Sequence, residues 1–141
     1  RPARLAARAA QLAAACGLRL RAQAAILNLY HGGSSMCGHR DDAEPCQSAP
    51  IVSISLGMDA VYLLGRESRD VPPVAIRLRA GDVVVQGGAS RAYVHGVPAI
   101  FTREGVSDED DAEVGRGRRA DLASWLKSHR LNINVRQCFE L

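Results

Sequence analysis

The stretch Arg130-Leu131-Asn132-Ile133-Asn134-Val135-Arg136 constrains this chain most, because its polar and apolar residues alternate without a break. A period of two belongs to a half-buried β-strand and conflicts with a helix, whose apolar positions recur every three to four residues. Two guanidiniums and two amides therefore share one face, while Leu131, Ile133 and Val135 share the other. Inside a barrel the polar face could bind a small dicarboxylate, since an arginine fork meets a carboxylate in two parallel hydrogen bonds.

Other short runs supply partners for such a strand. Gln23 to Tyr30 reads as extended, with Asn28 and Tyr30 on one side because they are two residues apart. Ile51 to Leu56 is a second strand on which Ser53 and Ser55 face together, followed by Val61 to Leu64 and Val74 to Leu78. Gly81-Asp82 then turns the chain into Val83 to Val85. Gly87-Gly88 breaks that strand, and Arg91 to Gly96 is expected to return as extended chain. Short strands at this spacing imply a β-sandwich or jelly roll. Helices flank it. Residues 2 to 16 are rich in alanine and stop near Gly17, and Asp121 to His129 places Leu122, Trp125 and Leu126 at helical spacing. Between Arg103 and Arg119 an acidic run and an arginine-rich run read as a mobile surface loop.

At 141 residues the chain is read as one domain, and its first residue, Arg1, suggests an N-terminally trimmed fragment. With no run approaching ~18 apolar residues, a soluble protein that avoids membranes is expected. All the basic residues except Lys127 are arginine, which suits phosphate contacts, but a net charge of +3 is too small to establish nucleic-acid binding. An aromatic content of 4% argues against a platform that stacks many bases. Cys16, Cys37, Cys46 and Cys138 show no CxxC spacing, so reduced thiols in an intracellular protein are expected.

The candidate chemistry sits at His39-Arg40-Asp41. A histidine and a carboxylate two residues apart can grip one metal ion if a third ligand arrives from elsewhere, and His95 is the candidate. Two imidazoles and one carboxylate on one face leave the other positions open, the arrangement of non-haem Fe(II) oxygenases. A zinc site from Cys37, His39 and Cys46 is the rival and lacks a fourth ligand. His31 and His129 read as turn and helix-end residues.

Several ordered motifs carry a resemblance. Asn28-Leu29-Tyr30, Gly38-His39-Arg40-Asp41-Asp42-Ala43-Glu44, Pro50 through Gly57, Gly81 through Val85, Ser90-Arg91, His95-Gly96 and Arg130 through Arg136 are similar to the AlkB family of Fe(II)- and 2-oxoglutarate-dependent dioxygenases. The match spans about residues 20 to 101 and 121 to 138. Ala24 to Asn28 and Trp125-Leu126-Lys127 resemble its AlkB homologue 1 branch.

That resemblance implies an α+β, mostly β fold: a double-stranded β-helix, or jelly-roll barrel, with flanking helices. It implies that His39, Asp41 and His95 hold Fe(II), and that Asn28, Tyr30, Arg130, Asn132 and Arg136 surround 2-oxoglutarate. Arg69 and Glu44 are the implied substrate contacts. The implied reaction is oxidative demethylation of N-methylated bases in single-stranded DNA, RNA or tRNA by a monomer, with O2 consumed and succinate, CO2 and formaldehyde released. A catalytically silent nucleic-acid-binding barrel and an oxygenase acting on protein are the alternatives. One departure matters: the bacterial type has an acidic residue two positions after the metal aspartate, and here that position is Ala43. Asp42 or Glu44 would have to replace it, or the substrate differs.

Overall fold

The computed structural model describes residues 2–101 and 118–140. Among these residues eight antiparallel strands form two four-stranded sheets. One sheet has the order β1-β8-β3-β6, built from β1 (Ala24–His31), β8 (His129–Arg136), β3 (Ile51–Gly57) and β6 (Val83–Gln86). The other has the order β2-β7-β4-β5, built from β2 (Met36–His39), β7 (His95–Ile100), β4 (Ala60–Leu64) and β5 (Val74–Leu78). This is the jelly-roll arrangement that the strand spacing predicts.

The alternating stretch lies at the centre of the first sheet, between β1 and β3, with Asn132 opposite both Asn28 and Ser55, and Arg130 opposite Tyr30. Because side chains alternate across a strand, Asn28, Tyr30, Ser53, Ser55, Arg130, Asn132, Asn134 and Arg136 share the face turned toward the second sheet. Between the sheets Tyr30, Met58, Ala60, Tyr62, Leu78, Val97 and Ile100 form one apolar core.

On the other face Val52, Ile54, Ile133 and Val135 receive helix α1 (Pro2–Ala15) through Leu5, Ala9, Leu12 and Ala13. Helix α2 (Arg118–Ser128) ends against β8, where Trp125 stacks on His129 at a centroid distance of 4.2 Å. Gly57 makes this junction possible. It has φ +78°, and a Cβ there would lie 2.1 Å from the His129 carbonyl oxygen.

One expectation is corrected. Residues 88–92 form a short 3-10 helix (Gly88–Ala92) rather than extended chain, and β7 starts only at His95. Met36–His39, which carries no strand signal of its own, is a strand held by β7. The predicted surface loop falls outside the described residues except for Arg118 and Arg119, which open α2. Among the described residues no helix is long and apolar enough to cross a membrane.

Candidate functional site

The register of β2 against β7 puts His39 directly opposite His95. Gly96 permits the close approach, since a Cβ there would stand 2.9 Å from the Met36 carbonyl oxygen. The two imidazoles sit 4.5 Å apart, and the chain just past β2 brings Asp41 between them. His39 Nε2 lies 3.9 Å from Asp41 Oδ1 and His95 Nε2 lies 3.4 Å from Oδ2. All three donor atoms fall within 4.8 Å of one another, the sole such cluster of three or more metal-ligating side chains among the described residues. Cys37 is exposed while Cys46 is buried, and the zinc alternative does not assemble.

Backbone carbonyls orient both rings. His39 Nδ1 donates to the Cys37 carbonyl at 2.9 Å and His95 Nδ1 to that of Tyr93 at 3.1 Å, which leaves each Nε2 lone pair for a cation. Gln86 packs behind His95. Its amide nitrogen donates to the Ser90 carbonyl at 2.8 Å, and its oxygen accepts from the Tyr62 hydroxyl at 2.9 Å. Burial pushes the Tyr62 phenol up, and the nearby Asp41 charge adds to the effect, so the hydroxyl stays a donor. Burial also works against ionised Asp41, yet its contacts with His95 and with the Arg136 guanidinium outweigh it and hold the carboxyl well below the usual range.

These groups open onto a cavity of about 250 Å³ between the sheets, lined by Asn28, Tyr30, His39, Asp41, Tyr62, His95, Arg130, Asn132 and Arg136 among others. That is below the ~300–1,000 Å³ of sites for drug-sized ligands and suits a small acid beside a metal. Six residues separate the two arginines, roughly 20 Å of strand, and their long side chains converge on the same space.

Their environments differ. Arg130, 1% exposed, donates to the Met58 carbonyl at 3.2 Å and the Ser55 hydroxyl at 2.9 Å, and its Nε has no partner. Among the described residues no carboxylate is within ion-pair distance of it, and burial lowers its pKa. Arg136, whose Nε likewise has no partner, donates to Asp41 Oδ1 at 2.7 Å and also to Glu44 Oε1, so the two sites differ in their counter-ions. Asn132 donates to the Ser53 hydroxyl at 2.7 Å and accepts from Asn28 at 3.4 Å, while the Tyr30 hydroxyl points at the Met36 sulfur, 3.7 Å away. All five residues expected around the cosubstrate thus line one cavity.

The two expected substrate residues part company. Arg69 is exposed, donates to the Gly38 carbonyl at 2.9 Å and lines a surface groove together with His39, Arg40, Asp42 and Glu67. Glu44 turns inward to Arg91 and Arg136 with its side chain 9% exposed, and it does not line that groove. Arg91 is 4% exposed and binds the Asp41 and Ala49 carbonyls as well as Glu44. Sequence reasoning gave Arg91 and Gln86 no role, and a lone arginine or glutamine after a strand carries no signal of its burial.

The donor set fits Fe(II), being two neutral imidazoles and a carboxylate with one side open. Arg130 fits a carboxylate, because a buried guanidinium with an unpartnered N–H and no counter-ion among the described residues is costly until an anion joins it.

Comparison with known proteins agrees with this geometry. The model of the 2OG-Fe(II) oxygenase superfamily matches residues 1–136. The DNA N(6)-methyladenine demethylase ALKBH1A of Arabidopsis thaliana is 43% identical over 125 residues, covering 87% of this chain and 36% of the relative. The tRNA demethylase abh1 of Schizosaccharomyces pombe is 38% identical over 120 residues, covering 85% of this chain and 38% of the relative. The solved structure of OsALKBH1 superposes with a TM-score of 0.77 at 26% identity, covering 97% of this chain and 66% of that one. The chain therefore spans little more than a third of the length of these curated relatives.

Proposed function

The chain belongs to the 2OG-Fe(II) oxygenase superfamily, among its AlkB-like members, and from that premise we propose that it oxidatively removes N-linked methyl groups from bases of DNA or RNA. The observation that carries this reading is the sharing of one small cavity by a His-Asp-His donor set and a buried arginine that has no counter-ion among the described residues. One relative is named for demethylating N(6)-methyladenine in DNA and another for demethylating tRNA, so demethylation of a nucleic acid is the chemistry their names share.

His39, Asp41 and His95 would hold Fe(II) from one face. With 2-oxoglutarate and O2 the metal supplies the oxidising chemistry, the methyl group leaving as formaldehyde and the keto acid as succinate and CO2. Arg130 receives the carboxylate far from the metal, where its free N–H and unmatched charge meet a partner. Arg136, tied to the metal carboxylate, faces the near end. Asn28, Tyr30 and Asn132 wall the acid between them and keep water out. Arg69, on the groove beside His39, is placed to meet a phosphate or base edge, whereas Glu44 acts from within the site. A base in a duplex would have to leave its stack, so single strands and tRNA loops are the less costly substrates.

Mass spectrometry of N-methylated DNA and RNA oligonucleotides incubated with the protein, Fe(II), ascorbate and 2-oxoglutarate tests this. Loss of 14 Da per methyl group (about the mass of one CH₂) with matching formaldehyde is expected, and His95→Ala should abolish both by removing a metal ligand. Steady succinate production with every methyl group intact would refute the substrate assignment.

A further inference from the structure

Four ionised side chains meet behind the metal donors. Glu44 accepts from Arg136 with one carboxylate oxygen and from Arg91 Nη2 with the other, at 3.3 Å. Arg91 also donates Nη1 to the Asp41 backbone carbonyl and Nε to that of Ala49 at 3.1 Å, fixing both ends of the segment that carries Glu44. Arg136 closes the circuit on Asp41 Oδ1 at 2.7 Å. Side-chain exposures are 4% for Arg91, 7% for Arg136, 9% for Glu44 and 12% for Asp41. Two cations and two anions thus form a neutral, nearly dry cluster, and neither Glu44 nor Arg91 lines the cavity itself.

We propose that Arg91 and Glu44 are a positioning pair that keeps Asp41 available to a divalent cation by giving Arg136 a second carboxylate to lean on. The role rests on the assignment of His39, Asp41 and His95 to a metal. Without the Glu44 charge, Arg136 has Asp41 alone and competes with the metal for its carboxylate. The cluster also gains a net positive charge beside a site for a dication, and at low dielectric that repulsion is strong. A dianionic keto acid feels the opposite sign. Loss of Glu44 charge should therefore weaken metal binding and spare keto-acid binding, whereas a merely loosened site would weaken both.

Calorimetry with Mn(II) alone, then with 2-oxoglutarate added to Mn(II)-saturated protein, reads the two affinities separately. Glu44→Gln is expected to weaken Mn(II) by about tenfold or more, in the range typical of lost partners behind metal ligands, with 2-oxoglutarate binding unchanged or tighter. Arg91→Gln releases the segment that carries Glu44 and so acts through the same contact; the Glu44→Gln/Arg91→Gln pair should therefore lose less Mn(II) affinity than the two single losses combined. Glu44→Asp keeps the charge and should keep most of the affinity, which covers the case of a Gln variant that does not fold. Unchanged Mn(II) affinity in Glu44→Gln, a parallel fall in both affinities, additive single losses, or a full loss in Glu44→Asp would each overturn the pair. A wild-type protein that binds no Mn(II) would instead overturn the metal assignment on which it rests.

Discussion

The two ends of β8 hold the same side chain in opposite circumstances. Arg130 is the most deeply buried large side chain of the protein's described residues, and its partners are a carbonyl and a hydroxyl, both neutral. Arg136, nearly as buried, has two carboxylates around it, Asp41 and Glu44. Electrostatics separates them accordingly. Burial lowers the pKa of Arg130, while at Arg136 the two carboxylates overcome burial and raise it. On the function proposed above, one strand serves two tasks: its first arginine would receive an anion from outside, and its last, in an ion pair with Asp41, would orient a metal ligand.

The sharpest way to break this comparison is one substitution made at both ends. Arg136→Met strips the counter-ion from two buried carboxylates and should cost about 3–5 kcal/mol of folding stability, as breaking a buried pair does. Arg130→Met removes an unmatched charge and should leave stability within about 1–2 kcal/mol of wild type, since the lost bonds to Ser55 and Met58 are offset by relief of desolvation. Denaturant melts of the metal-free protein measure both, and equal losses would erase the distinction.

A smaller effect is expected when the Arg130 end is loosened rather than emptied of charge. Ser55→Ala deletes one neutral acceptor at 2.9 Å from Arg130 Nη2. The cost should be about 1 kcal/mol in 2-oxoglutarate affinity, roughly fivefold, read by calorimetry. A larger loss than in Arg130→Met would mean that Ser55, not the guanidinium, meets the acid.

The two ends should also answer to pH in opposite directions. At the metal end burial favours neutral Glu44, but the Arg136 and Arg91 contacts win and lower its pKa. Its contribution to stability is therefore complete above its unfolded value near ~4.3 and is lost as pH falls through the folded value. At the other end burial raises the Tyr30 phenol more than Arg130 lowers it. That contribution is present below about pH 10 and is lost as pH rises beyond it. Glu44→Gln should flatten only the acid limb of a stability–pH profile, and Tyr30→Phe only the alkaline limb.

Much of this architecture was legible in the order of residues. The alternation in Arg130–Arg136 and the paired Ser53 and Ser55 place a polar face inside a sandwich because side-chain direction in a strand follows from parity alone. His39, Asp41 and His95 were recognisable because few side chains ligate metals. What escaped depends on contacts far apart in sequence. Met36–His39 is a strand because β7 holds it, and no four-residue run with a glycine announces that. Arg91 is internal because the Asp41–Ala49 segment closes over it, a long-range fact that its short 3-10 helix does not encode. The resemblance implied Glu44 as a substrate contact, but its orientation is set by two arginines 47 and 92 residues away.

The central claim is that Arg130 reads the far carboxylate of the keto acid and Arg136 does not. Calorimetry of Mn(II)-saturated protein with 2-oxoglutarate and with 2-oxobutyrate, which has the same keto-acid end and lacks the far carboxylate, tests it most directly. Wild type should prefer 2-oxoglutarate by about hundredfold, as expected for a charged hydrogen-bonded pair in a buried site. Arg130→Lys should narrow that preference to about tenfold or less by losing the fork, while Arg136→Lys weakens both acids and leaves the preference intact. A preference that survives in Arg130→Lys and collapses in Arg136→Lys would contradict the account.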